Sequence, residues 1–157
     1  MRTHQVRFKG ALLQRGFWLY VWRVRQRSRE VLYVGRTGDS SSRFAASPFS
    51  RLGQHLDLRP KASANMLLRN LMRHGFDPVR SSYSLFAVGP LYPEQATLPS
   101  HRRVRDRVAP IEAALAQQLE ADGHIVIGTH PKAKRMNRVL YRKVLHKVRA
   151  ALKSSAR

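Results

Sequence analysis

Two tyrosines, Tyr20 and Tyr33, are separated by twelve residues, and an arginine and a histidine four apart, Arg51 and His55, follow them. An arginine side chain presents a planar fork that can hold two phosphate oxygens at once, which lysine cannot do. A tyrosine hydroxyl titrates near pH 10, so it can take a proton from water only where neighbouring positive charge lowers its pKa. Gly35, two residues after Tyr33, would let the backbone pass close to such a group. Glu112 is one of the acids in the middle of the chain, where a site could use them. Each residue also has a plainer reading, and both readings stay open at this point. Aromatic residues favour strands. An Arg and a His four apart share a helix face in many surface helices. A glutamate near a helix start gains about 0.3–1 kcal/mol from the helix dipole alone. Asp39 is a candidate ligand, although Gly-Asp-Ser also simply makes a turn. His124 and His130 are six apart, a spacing unsuited to one helical metal site.

Whatever these residues do, the chain around them is strongly cationic. Its 157 residues carry 30 Lys+Arg against 9 Asp+Glu, a formal net charge of +21. Residues 1–29 hold eight basic residues and no acid, and residues 123–157 hold ten and no acid. Such unrelieved repulsion calls for a polyanionic partner, and nucleic acid is the expected one. Arg36, Arg43, Lys132, Lys134, Arg135, Arg138 and Arg142 are the candidate phosphate contacts. No apolar run approaches the roughly 20 residues of a membrane span, so a membrane is not expected. No obligate protein partner is evident. The absence of cysteine excludes disulfides, a thiolate nucleophile and Cys-based zinc sites. A cytoplasmic location follows as the expectation. Neither a Gly-x-x-x-x-Gly-Lys loop nor a Gly-x-Ser-x-Gly elbow occurs, which leaves nucleotide hydrolysis and acyl transfer without support.

The elements that must position the candidates can be read from pattern. Phe17 to Val24 and Val31 to Gly35 read as two strands of an antiparallel hairpin turning near Arg27. A register pairing even with odd numbers puts Tyr20 and Tyr33 on one face, together with Trp18 and Trp22. Ser47-Pro48 opens a helix whose apolar face is Phe49, Leu52 and Leu56. A second helix over Ala62 to His74 stops at Gly75. Tyr83 to Val88 is a third strand, and the Pro-bearing stretch from Gly89 to Ser100 reads as a loop. Val108, Ile111, Leu115 and Leu119 make the buried stripe of a helix ended by Gly123. Ile125 to Ile127 is a short strand or extended segment. Met136, Val139, Leu140, Val144, Val148 and Leu152 form an amphipathic C-terminal helix. The expected organisation is a basic arm over 1–15, an α+β domain over 16–130 and a basic helix over 131–157. That domain would hold a small three-stranded antiparallel sheet flanked by helices.

Trp18-Leu19-Tyr20, Tyr33-Val34-Gly35 and Arg51-Leu52-Gly53-Gln54-His55, in this order, resemble the motifs of the GIY-YIG nuclease superfamily. The resemblance runs over roughly residues 16 to 128. It implies a GIY-YIG-like fold and a metal-dependent endonuclease, with DNA placed ahead of RNA. It further implies Tyr20 or Tyr33 as the general base, with the other tyrosine and His55 orienting the water or the scissile group. Arg51 would hold the phosphate, and Glu112 would hold one Mg²⁺ or Mn²⁺. Three features depart from the family pattern. The first motif keeps only its tyrosine. Arg43 has the family's usual distance from the second motif, whereas Arg51 has the spacing to a histidine; Arg51 is preferred, with Phe44 to Ser50 as an insertion. The asparagine expected after the metal-binding glutamate is missing from Ile125-Val126-Ile127-Gly128-Thr129-His130, and Asn137 lies too far along to replace it. A catalytically inactive nucleic-acid binder of this fold and a basic RNA-binding protein are therefore the alternatives.

Overall fold

The fold is drawn from a computed structural model of the chain, which describes residues 1, 3–39, 42–130 and 135–155. Strands β1 (Phe17–Gln26) and β2 (Arg29–Arg36) form the expected hairpin, and the pairs Tyr20 with Gly35 and Trp22 with Tyr33 show its even-with-odd register. Tyr20, Trp22, Val24, Val31 and Tyr33 therefore share one face, while Phe17, Leu19, Val21, Leu32 and Val34 share the other. Trp18 stands apart from this pattern, because the register against the third strand shifts between Phe17 and Leu19.

Strand β3 (Ser82–Tyr92) pairs antiparallel with the outer side of β1. It runs four residues past the expected end, through Gly89 and Pro90, which corrects the start of the expected loop. Proline is tolerated there because β3 is an edge strand, whose outer side needs no amide donor. The sheet also has a fourth member. β4 (Val126–Ile127) lies parallel to β2, pairing with Leu32 and Tyr33, and gives the order β3-β1-β2-β4. A three-stranded antiparallel sheet is thereby replaced by an open, mixed, four-stranded one. The short strand or extended segment expected over Ile125 to Ile127 is present as β4, but two residues leave no periodic signal for its parallel pairing with β2.

Four α-helices are present among the described residues: α1 (Pro48–His55), α2 (Met66–Arg73), α3 (Leu98–Ala121) and α4 (Arg138–Ser154). α3 and α4 cover the sheet face that carries Leu19 and Val21. The expected stripe of Val108, Ile111, Leu115 and Leu119 is fully buried, joined by Val144, Val148 and Leu152. Val139, assigned to the same α4 stripe, is 65% exposed, and Met136 precedes the helix. α2 packs Leu67, Leu68 and Leu71 on the opposite face. It starts later than expected, at Asn65 as its N-cap. Ser47 caps α1 as expected, its hydroxyl accepting from the Ser50 amide. Asn137 caps α4 in the same manner through Leu140, which gives that asparagine a structural role. Among the described residues no helix is long and apolar enough to cross a membrane.

Candidate functional site

α1 packs Leu52 and Leu56 of its expected apolar face, partly buried, against the tyrosine-face core, while Phe49 is exposed. His55 is 1% exposed and Arg51 faces the sheet beside it. Polar residues can point inward here because the tyrosine face of the hairpin supplies hydrogen-bond partners, and buried polar groups require them. The Tyr20 hydroxyl lies 2.7 Å from His55 Nε2. The His55 ring sits edge-on to both Tyr20 and Tyr33, at centroid distances of 5.6 and 5.4 Å. The Arg51 charge lies close enough to act on the Tyr20 hydroxyl, while its Nη1 and Nη2 donate to Gln54 and Asp39.

Gly35 is what allows Tyr20 to sit there. A Cβ at position 35 would lie 2.5 Å from Tyr20 Cε2 and 2.7 Å from its hydroxyl oxygen. The loop after β2 is pinned at three points. The Thr37 hydroxyl bonds the Gly16 carbonyl and accepts from the Trp18 amide at 2.8 Å. Gly38 takes a φ of +76° over the ring of Phe17. His101, fully buried on α3, bonds the Gly38 carbonyl at 3.0 Å. The pinned loop aims Asp39 at Arg51, and the two form an ion pair at 2.9 Å. Arg51 also donates to Gln54 at 2.9 Å.

Glu112 reaches the same region from α3. Its Oε2 accepts from Arg36 Nε at 2.7 Å in a mostly buried pair. His130, just past β4, donates to the Val34 carbonyl at 3.1 Å and lies near enough to act on the Glu112 charge. Glu112 and Arg51 in turn both act on the Tyr33 hydroxyl, and Asp39 acts on every member of the set. Tyr20, Tyr33, Arg51, His55 and Glu112, drawn from β1, β2, α1 and α3, are thus one constellation. Arg51, not Arg43, is the arginine that meets the tyrosines. Arg43 turns away, over the ring of the exposed Phe44 and toward the Ala96 carbonyl.

Of the expected phosphate contacts, Arg36 is engaged with Glu112, while Arg135, Arg138 and Arg142 are exposed. Lys132 and Lys134 lie outside the described residues. The Asp39–Arg51 pairing and the approach of His130 were not foreseen. The first depends on the loop pinning and the second on the parallel pairing of β4 with β2, neither of which has a local sequence signal.

The electrostatics of the ground state are set by burial. Burial pushes Tyr20 far above the ordinary tyrosine range, against the lowering influence of Arg51. Burial, then the Glu112 charge, pushes Tyr33 up to about 12. Burial, then repulsion from Arg51, takes His55 down to about 4, so its imidazole is neutral at pH 7. Burial raises Glu112, while Arg36 and then His130 work to keep it ionised. Three nitrogens at the site, Arg36 Nη1, Arg51 Nε and His55 Nδ1, are buried with no hydrogen-bond partner among the described residues.

One consequence for stability follows from His55. Its folded pKa of about 4 lies below the unfolded value of 6.5, so the unfolded chain binds the extra proton between those limits. The contribution is fully present above pH 6.5 and is lost as pH falls toward 4, by up to about 3 kcal/mol. Urea melts at pH 7 and pH 4.5 should show a clearly smaller acid loss in His55→Gln than in the parent. Equal losses would mean that His55 is not held neutral.

As to a metal, among the described residues no three His, Asp or Glu side chains cluster as a cage. A hard cation that keeps most of its waters and shares one carboxylate with substrate phosphate needs only one such donor. Glu112, paired with Arg36, would be that carboxylate. No protein-family model, curated protein or solved structure matches this chain.

Proposed function

We propose that this protein is a metal-dependent endonuclease of the GIY-YIG type that hydrolyses phosphodiester bonds in nucleic acid, DNA ahead of RNA. The observation that carries the reading is the meeting of Tyr20, Tyr33, Arg51, His55 and Glu112 in one place from four elements. A packing core has no use for two phenols edge-on to one buried imidazole, an arginine fork and a mostly buried carboxylate together.

In this mechanism Arg51 exchanges Asp39 for two oxygens of the scissile phosphate. The incoming phosphate takes over from Asp39 in offsetting the Arg51 charge that depresses His55. The attacking water then gives its proton to the Tyr20 oxygen as the Tyr20 proton passes to His55 Nε2, along the 2.7 Å bond already present. Tyr33, protonated at neutral pH, positions the water or a phosphoryl oxygen as a donor. Glu112 would hold a divalent cation, which when bound would supply charge to the phosphate and to the leaving oxygen. Arg36 keeps that carboxylate ionised in its desolvated place. The exposed arginines of α4 and the basic arm hold the backbone on either side.

The test is cleavage of supercoiled plasmid and labelled oligonucleotides with Mg²⁺ or Mn²⁺ and with chelator. Cutting that requires the cation supports the reading, and no cutting of any substrate ends it. Affinity should fall steeply with salt, as for any protein that releases counterions from phosphates. One observation favours a second reading, an inactive binder: Glu112 is already neutralised by Arg36. That reading predicts salt-sensitive binding with no cation requirement and no product.

A further inference from the structure

A groove of about 1520 Å³ runs along β3, the edge strand, and is lined in part by Trp22, Leu85 and Ala87 from the tyrosine face of the sheet. Arg7 and Lys9 line it from the N-terminal arm. Lys143 and Lys147, one turn apart and exposed on α4, line it from the C-terminal helix. No Asp or Glu is among the described residues of its lining. Much of the rest is apolar, and the groove reaches α1 at Leu52 and Leu56, the sequence neighbours of Arg51 and His55.

Two features point to unpaired bases. Phe8 lines the groove and stacks on Phe49 at 4.6 Å between centroids, with the two rings 47% and 37% exposed. Trp22, also in the lining, is 2% exposed, yet its indole N–H has no partner among the described residues. A buried indole N–H ordinarily finds an acceptor. A duplex turns its phosphates outward and hides its base faces, which would leave an apolar floor and exposed rings without a use. A single strand offers both, with bases for the rings and phosphates for the lysines. An extended peptide would pair with the free edge of β3, but a lining with four cations and no acid selects a polyanion.

We propose that this groove binds a single-stranded segment of nucleic acid and leads it along α1 to the tyrosine–arginine site. The preferred substrate then carries unpaired nucleotides beside the cut. Only that last clause rests on the nuclease reading.

Fluorescence anisotropy in chelator, with one labelled oligonucleotide either single-stranded or annealed to its complement, tests the groove without cleavage. The single strand should bind about ten-fold tighter than the duplex. Lys143→Glu with Lys147→Glu, both on the surface, should weaken single-strand binding by about ten-fold or more and duplex binding by less. Phe8→Ala should cost several-fold on the single strand alone. Tighter or equal binding of duplex, or no response to the charge reversals, overturns the proposal. So does displacement of the strand by polyglutamate at equal charge, which would make the groove a general anion surface. A chain that binds single strands through the groove yet cuts nothing keeps this proposal and loses the nuclease. Cutting of blunt duplex and single strand at equal rates, unaffected by the groove variants, does the reverse.

Discussion

Glu112→Gln is expected to lower cation-dependent cleavage by at least about 10²-fold while leaving nucleic-acid affinity and its salt dependence unchanged. Glutamine fills the same space and still accepts from Arg36, so the half-buried contact between β2 and α3 survives with a weaker bond. What disappears is the negative charge that would hold the cation. The neighbouring charge provides an independent check. Arg36 is the main group opposing the burial that raises Glu112. Replacing Arg36 with Gln removes that support, so the carboxylate ionises only at higher pH. The acid limb of the cleavage profile should therefore shift upward in Arg36→Gln, with activity recovered on the alkaline side. If Glu112→Gln cuts as fast as the parent, Glu112 is a structural partner of Arg36 and the cation is held elsewhere. If Arg36→Gln leaves the profile in place, the coupling between the two charges does not govern the reaction.

The sequence carried the parts of this site that depend on local pattern and withheld those that depend on tertiary placement. The hairpin was legible because aromatic and β-branched residues run on both sides of a polar turn. Its even-with-odd register was then enough to put Tyr20 and Tyr33 on one face. The buried stripe of α3 followed from its spacing, and with it the position of Glu112 beside Ile111. Leu52 and Leu56 of α1 pack on the tyrosine-face core as their spacing predicts. The burial of His55 beside them was not legible from hydrophobicity, because it depends on the Tyr20 hydroxyl of the facing sheet. Spacing to a histidine favours Arg51 over Arg43, whereas the distance from the second motif favours Arg43, because the length of the intervening loop is not a local property. Likewise β4 brings His130 toward Glu112 through two residues of parallel pairing. The strand that ran on through Pro90 was hidden by a rule that holds for central strands and not for edges.

Gly35→Ala is expected to disable the site as completely as removal of the Tyr20 hydroxyl itself. The added methyl would lie 2.5 Å from Tyr20 Cε2, and the ring is 1% exposed and tied to His55. Position 35 is also paired directly with position 20 across the hairpin, so the backbone cannot withdraw without breaking the register. The ring must therefore move, and the 2.7 Å contact through which the proton would leave is lost. The cost in stability should be modest, about 1–3 kcal/mol as for other overpacked sites, while cleavage falls about 10²-fold or more. Near-UV circular dichroism should report the displaced tyrosine independently of any activity. The decisive comparison is a double-mutant cycle. Gly35→Ala, Tyr20→Phe and the double variant should all cut at the same low rate, because each removes the same proton path and it can be removed only once. A double variant much slower than either single one would show that the glycine serves another part of the site. Gly35→Ala with parental activity would show that the Tyr20 ring has room to move, and then the hydrogen bond to His55 is not what the reaction uses.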